Sequence, residues 1–158
     1  MKPHSVERVL IAVDNSIESL EAARTGARIA AGWGSLVRVI NVIADGSINA
    51  AIEEAGGPGS HTRRCRESQQ LLDHVVNEVR SAGVPGERID AVVREGQPFR
   101  RILEEAQTWC AGLIVMTVSD RTGLRSAYVG SETEHVLEFA ECPVLVVPAR
   151  MKRDGSAA

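Results

Sequence analysis

Aromatic residues are almost missing from this chain, at 3% of 158 residues. Any core must therefore be assembled from Val, Ile, Leu and Ala. Cysteine is scarce and odd in number, with Cys65, Cys110 and Cys142 and no CxxC pair. That argues against a disulfide framework or a zinc site and for reduced thiols. The histidines, His4, His61, His74 and His135, show no metal-ligand spacing, so no metal site is expected. No apolar run approaches the ~18 residues of a membrane span, and the opening MKPHSVERVL lacks a long apolar centre. Neither charge sign dominates: a net charge of −3 gives no broad pull toward nucleic acid or an anionic membrane. Several enzyme signatures are also missing. There is no GxxxxGK[ST] phosphate loop, no GxGxxG after a strand and no GxSxG elbow. The expectation is a cytoplasmic protein with no membrane or nucleic-acid partner.

What is present is an alternation. RVLIAV at 8–13 is short and almost unbroken in its apolar character, which suits a strand covered on both faces. Residues 35–42, 89–93, 113–116 and 144–147 read as further strands. Amphipathic stretches lie between them. Asn15 or Ser16 is placed to cap the first, with Glu18 and Glu21 where the helix dipole favours acid. Leu20, Ala23, Ala27 and Ala30 form its apolar stripe, and Gly32-Trp33-Gly34 ends it. A second helix over 62–82 carries Leu71, Leu72, Val75, Val76 and Val79. A third starts at Pro98, near N1, and carries Ile102, Leu103 and Ala106. The last covers 131–139. The connection at 45–60 is rich in Gly and Ser and long enough to be a lid, a binding loop or a mobile segment. A chain of this length is most simply one domain, 1–150, with a polar tail, 151–158, expected to be disordered. The predicted fold class is α/β: a single-domain, open, parallel five-stranded sheet with helices on both faces.

The last third is the most informative stretch: LIVMTVSDRTGLRSAYVGSETEHVLEFAECPVLVV. A strand runs into a glycine-bearing loop, a helix opens at Gly130-Ser131, and a strand follows Cys142-Pro143. Parallel-sheet proteins hold phosphate at such a helix N-terminus. With the opening VLIAVDNS, the Asn41-Val42 strand end and the Gly96-Gln97-Pro98 turn, the chain resembles the universal stress proteins over roughly residues 6–148. The resemblance implies the strand order 3-2-1-4-5. It also implies a division, since some members bind ATP or AMP and others do not. The binders share Gly, two residues, Gly, nine residues, Gly, then Ser or Thr. Here that frame lands on Thr117, Asp120, Gly130 and Ser131, of which the last two fit. Glu132 is a further departure, at a position the family usually fills with an apolar residue. Asp14, Val42, Met116 and Thr133 fit positions that contact adenosine or phosphates in binders.

Glycines in such a cradle allow positive φ and let backbone N–H groups approach phosphate. Thr117 is β-branched, so a positive φ there would be strained. Asp120 brings a charge. A carboxylate about 4 Å from a phosphate oxygen costs on the order of 1 kcal/mol in water and about 4 at an effective dielectric of 20. Glu132 is expected to add to that repulsion, whereas the helix dipole offers an anion only about 0.3–2 kcal/mol. Magnesium shared by Asp14, Asp120 and phosphate oxygens is one escape. Asp14 as the cap of helix one is the simpler role. A receiver-type phosphoacceptor role for Asp14 lacks a paired acid before it and a lysine after strand five, where Pro148 stands. Arg63, Arg64 and Arg66 read as a solvated helix face, with contact to ligand phosphates as the alternative.

Val144, Leu145, Val146 and Val147 form an uncharged strand that the implied order puts at the sheet edge, where it needs cover. Pairing with its twin supplies that cover, so a homodimer is expected. The expected function is a non-enzymatic, dimeric stress-response protein with degraded nucleotide binding and an unidentified protein partner. The alternative is an ATP- or AMP-binding regulator, with magnesium, that hydrolyses ATP slowly if at all. An enzyme using the same crevice is the third reading.

Overall fold

The computed structural model describes residues 6–44, 59–118 and 130–148. The elements run β1 (Arg8–Val13), α1 (Glu18–Trp33), β2 (Leu36–Ala44), α2 (Ser60–Ser81), β3 (Ile89–Gly96), α3 (Pro98–Thr108), β4 (Leu113–Thr117), α4 (Ser131–Phe139) and β5 (Val144–Val147). They form one parallel sheet of order β3-β2-β1-β4-β5. The fold class and strand order match the sequence expectation.

Alternation along each strand sorts the core into two layers. Val9, Ile11 and Val13 of β1 face α1 and α2, together with Val37, Val39 and Val115. Leu10 and Ala12 face α3 and α4, together with Ile40, Ile114 and Met116. Each layer is aliphatic, as the shortage of aromatics requires. The helix over the first layer carries small residues: Ala22, Ala23, Gly26, Ala27 and Ala30 of α1 are buried. A Cβ on Gly26 would stand 2.9 Å from Ile11 Cδ1 and 3.3 Å from Val115 Cγ2. That glycine lets α1 lie close on the junction of β1 and β4.

The boundaries differ from expectation in two informative places. Strand β3 runs on to Gly96 rather than stopping at Val93, because Arg94 and Glu95 stay paired with Val42 and Ile43 of β2. A polar residue on an edge strand can face water without leaving the ladder. Strand β4 includes Thr117, which the sequence reading placed in a loop. Most of the 45–60 connection, Asp120 and the 151–158 tail lie outside the described residues.

One buried charge sits in the second layer. Glu105 of α3 is 5% exposed. Its carboxylate accepts from Arg38 Nη1 at 2.8 Å and Arg94 Nε at 2.9 Å, and Arg38 stacks on Trp109 at 4.7 Å. Two guanidiniums thus satisfy the carboxylate and tie α3 to β2 and β3. No helix among the described residues is long and apolar enough to cross a membrane.

Candidate functional site

Strand β1 pairs with β2 on one side and β4 on the other, so the switch point lies between β1 and β4. Their C-terminal ends share one edge of the sheet, and α4 starts at that edge before running back to β5. Topology therefore brings Asp14, Val42, Met116, Thr117 and the Gly130-Ser131 helix start to the same end of the sheet, where folds of this type open a crevice.

Asp14 closes the start of α1. Its Oδ1 accepts the Ser16 amide at 2.8 Å, the Ser16 hydroxyl, and the Ser19 hydroxyl at 3.2 Å. The Asp14 amide donates to Ser19 Oγ at 2.7 Å. Ser16 Oγ in turn accepts the Ser19 amide at 3.3 Å, three residues on, which is capping geometry. The N-cap position of α1 is Ile17, which offers no side-chain cap, so none of Asp14, Asn15 and Ser16 stands at it; Ser16, braced by Asp14, receives the Ser19 amide from the turn before. Behind this turn, Asn41 donates to the Val13 carbonyl at 2.8 Å and accepts from Ser68 at 2.5 Å. The end of β1 is thus fixed by the start of α1 and, through Asn41, by α2 in the same layer.

Thr117 corrects an expectation. It is an extended strand residue, and among the described residues Cys110 is the only non-glycine with positive φ. No strain is stored there. Its side chain is buried, and its hydroxyl donates to the Val147 carbonyl at 3.1 Å. A glycine would leave main chain bare at this point; this threonine ties β4 to β5 instead.

Glu132 corrects a second one. Its Oε2 accepts the Phe99 amide at 2.8 Å, so its charge is engaged at the start of α3. The carboxylate keeps its charge, but one of its oxygens is directed at α3. Gly130 is the N-cap of α4 with φ −61° and ψ 153°, an extended conformation open to any residue, and it offers no side-chain cap. Ser131 is exposed, whereas Thr133 is 1% exposed with a hydroxyl oxygen that has no hydrogen-bond partner among the described residues. Leaving such a group unsatisfied costs about 1–3 kcal/mol.

The residues fit a nucleotide on one side only. The α4 start offers amides and a helix dipole, which suit phosphate, while the Thr133 hydroxyl is buried behind it. The β4 side offers a buried, bonded side chain where the binders' pattern has glycine.

Away from the crevice, sequence reading missed a second grouping. It found no ligand spacing among the histidines, yet α2 and β3 bring His61, Cys65 and Glu95 together. The His61–Cys65 spacing of one helical turn was the available signal; Glu95 comes from a strand that the sequence reading ended too early. The Arg63, Arg64 and Arg66 cluster is partly accounted for, since Arg63 pairs with Glu67 at 2.9 Å and Arg64 Nη1 lies 3.5 Å from the Ala44 carbonyl.

Residues 5–148 match the model of the universal stress protein family. The universal stress protein MJ0531 of Methanocaldococcus jannaschii is 33% identical over 141 residues, covering 89% of this chain and 81% of that one. Among solved structures, the hypothetical protein MJ0577 overlays with a TM-score of 0.78 at 20% identity, over 93% of this chain and 99% of that one. A universal stress protein in complex with cAMP overlays with a TM-score of 0.67 at 21% identity, over 91% and 98%. With nearly its whole length matched by the family model, and with a relative of this identity, the chain belongs to the universal stress protein family.

Proposed function

We propose that this chain is a non-enzymatic, dimeric stress-response protein with degraded nucleotide binding, acting through a protein partner. Thr117 carries the nucleotide part of this reading. Where binders expose bare main chain, its hydroxyl is bonded to Val147 and its side chain is buried. Asp120, at the second glycine position, adds a charge that the sequence alone supplies. Asp14, the carboxylate at the crevice, is engaged by Ser16 and Ser19 and is given no catalytic role. Dimerisation is supported by β5, an uncharged edge strand half-buried along its length.

A second reading, an adenine-nucleotide-responsive regulator, is favoured by the amides and dipole at the start of α4 and by the engagement of Glu132 at α3. A fold relative that holds cAMP is consistent with it. Calorimetry with ATP, AMP and cAMP, with and without Mg²⁺, separates the two. The natural chain is expected to give no saturable heat. A Thr117→Gly/Asp120→Gly variant is expected to bind. Micromolar binding by the natural chain overturns the first reading in favour of the second.

A further inference from the structure

His61 and Cys65 stand at i and i+4 in the first turns of α2, on one face of the helix. Glu95, near the end of β3, meets them there. His61 Nε2 lies 2.9 Å from Glu95 Oε1. Cys65 Sγ lies 3.8 Å from each ring nitrogen of His61. The potential ligand atoms all fall within 4.8 Å of one another. Among the described residues, the nearby Arg63 and Arg101 are directed away from the Glu95 carboxylate. Arg63 pairs with Glu67, and Arg101 bonds the Glu95 carbonyl oxygen through Nε and Glu104 through Nη1.

We propose that His61, Cys65 and Glu95 form a surface site for a divalent transition-metal ion of the zinc class, with three protein ligands and an open fourth position. The donor set decides the class. Thiolate and imidazole select zinc-like ions over magnesium or calcium, which prefer all-oxygen sites. One thiolate and one carboxylate neutralise a divalent charge, and a neutral imidazole completes the set. Three protein ligands and one vacant position is the arrangement of open zinc sites.

The spacing is close to what a metal needs. In a tetrahedral zinc site, ligand atoms stand roughly 3.3–3.6 Å apart, given bonds of about 2.0–2.3 Å. The ring–carboxylate pair, at 2.9 Å, is shorter than that range, and the thiol–ring distance, at 3.8 Å, is longer. His61 and Glu95 are exposed and Cys65 is half-buried, so side-chain rotation supplies the adjustment. The N-terminus of α2 opposes a cation by about 0.3–1 kcal/mol. A His61–Glu95 pair with no metal would be an ordinary surface bridge of small value.

Cobalt(II) is the probe, added to the reduced, metal-free full chain. Thiolate ligation gives a sulfur-to-cobalt charge-transfer band in the near ultraviolet, and tetrahedral coordination gives intense visible bands. Both are expected at one equivalent and should be displaced by Zn²⁺. Cys65→Ser should abolish the charge-transfer band. His61→Ala and Glu95→Gln should each weaken binding by about tenfold or more, at least what is lost with an outer-shell partner. Cys110→Ser, which removes an exposed cysteine elsewhere, should leave the spectrum unchanged. Zn²⁺ should also raise the melting temperature of the natural chain, with no rise for Cys65→Ser. Circular dichroism establishes that each variant is folded. The proposal falls if no band appears at one equivalent, or if the band survives Cys65→Ser. It falls equally if His61→Ala and Glu95→Gln leave affinity unchanged.

Discussion

Glu132 of α4 caps a helix other than its own: its Oε2 accepts the amide of Phe99, the second residue of α3, at 2.8 Å. Pro98 has no N–H to satisfy, and Gln97 at the N-cap offers no side-chain bond, so the Phe99 amide would otherwise be an orphan. The carboxylate also stands at the positive end of α3. One turn along α4, the His135 ring stacks on Phe99 with centroids 4.5 Å apart. Two consecutive turns of α4 thus hold the start of α3.

Removing this cap should cost stability without opening the crevice. A Glu132→Ala variant is expected to lose about 0.5–2 kcal/mol, the usual value of an N-cap. That corresponds to a melting temperature lower by roughly 2–4 °C per kcal/mol. Glu132→Gln, which keeps an acceptor oxygen, should lose less. Neither variant should acquire ATP binding, because Thr117 still fills the first glycine position with a buried, bonded side chain. Unchanged melting in Glu132→Ala, or nucleotide heat appearing in it, would count against this account. Thermal melts and calorimetry on the same samples give both readouts.

The Cys142 thiol carries a pH dependence. Burial holds its pKa above the ordinary thiol value, and the Glu141 charge adds to the effect, while a backbone hydrogen bond with Ile114 works the other way. A folded-state pKa above the unfolded one means that the native protein holds the proton more tightly. The resulting stability is fully present below the unfolded thiol pKa and is lost as pH rises through the raised value. Urea unfolding from about pH 7 to about pH 10 should therefore show a steeper alkaline loss for the natural chain than for Cys142→Ala. At neutral pH, Cys142 should alkylate more slowly than exposed Cys110. Parallel alkaline limbs would remove the thiol from the explanation.

The sheet was legible because β1, β4 and β5 are apolar runs bounded by clear punctuation. Their order came from the resemblance, carried by motifs at the two ends of the chain. The extension of β3 was not legible: Arg94 and Glu95 look like loop residues until β2 is beside them to pair with. Contacts between distant elements were invisible for the same reason. Glu132 reads as a charge beside a phosphate cradle until α3 is placed against α4. Thr117 reads as strained until Val147 stands opposite it in the ladder. His61 and Cys65 carried a periodic signal, but their acidic neighbour comes from a strand about 30 residues on, and no local pattern links them.

Strand β5 gives the sharpest test of assembly. Among the described residues it pairs only with β4, in the register Ile114↔Val144 through Thr117↔Val147. The Ile114 amide donates to the Pro143 carbonyl at 3.0 Å. In a parallel ladder, that bond directs the Leu145 and Val147 amides toward β4. The amides of Val144 and Val146 then point out to the open edge, where a second copy would pair. Proline removes one amide and is tolerated on an edge strand when that amide faces outward. Val146→Pro should therefore break the homodimer yet leave the β4–β5 ladder whole, whereas Leu145→Pro should damage the fold itself. The expected outcome by light scattering at tens of micromolar is a dimer for the natural chain and a folded species of about half that mass for Val146→Pro. A natural chain that scatters as a monomer, or a Val146→Pro variant that stays dimeric, would place any pairing surface somewhere other than β5.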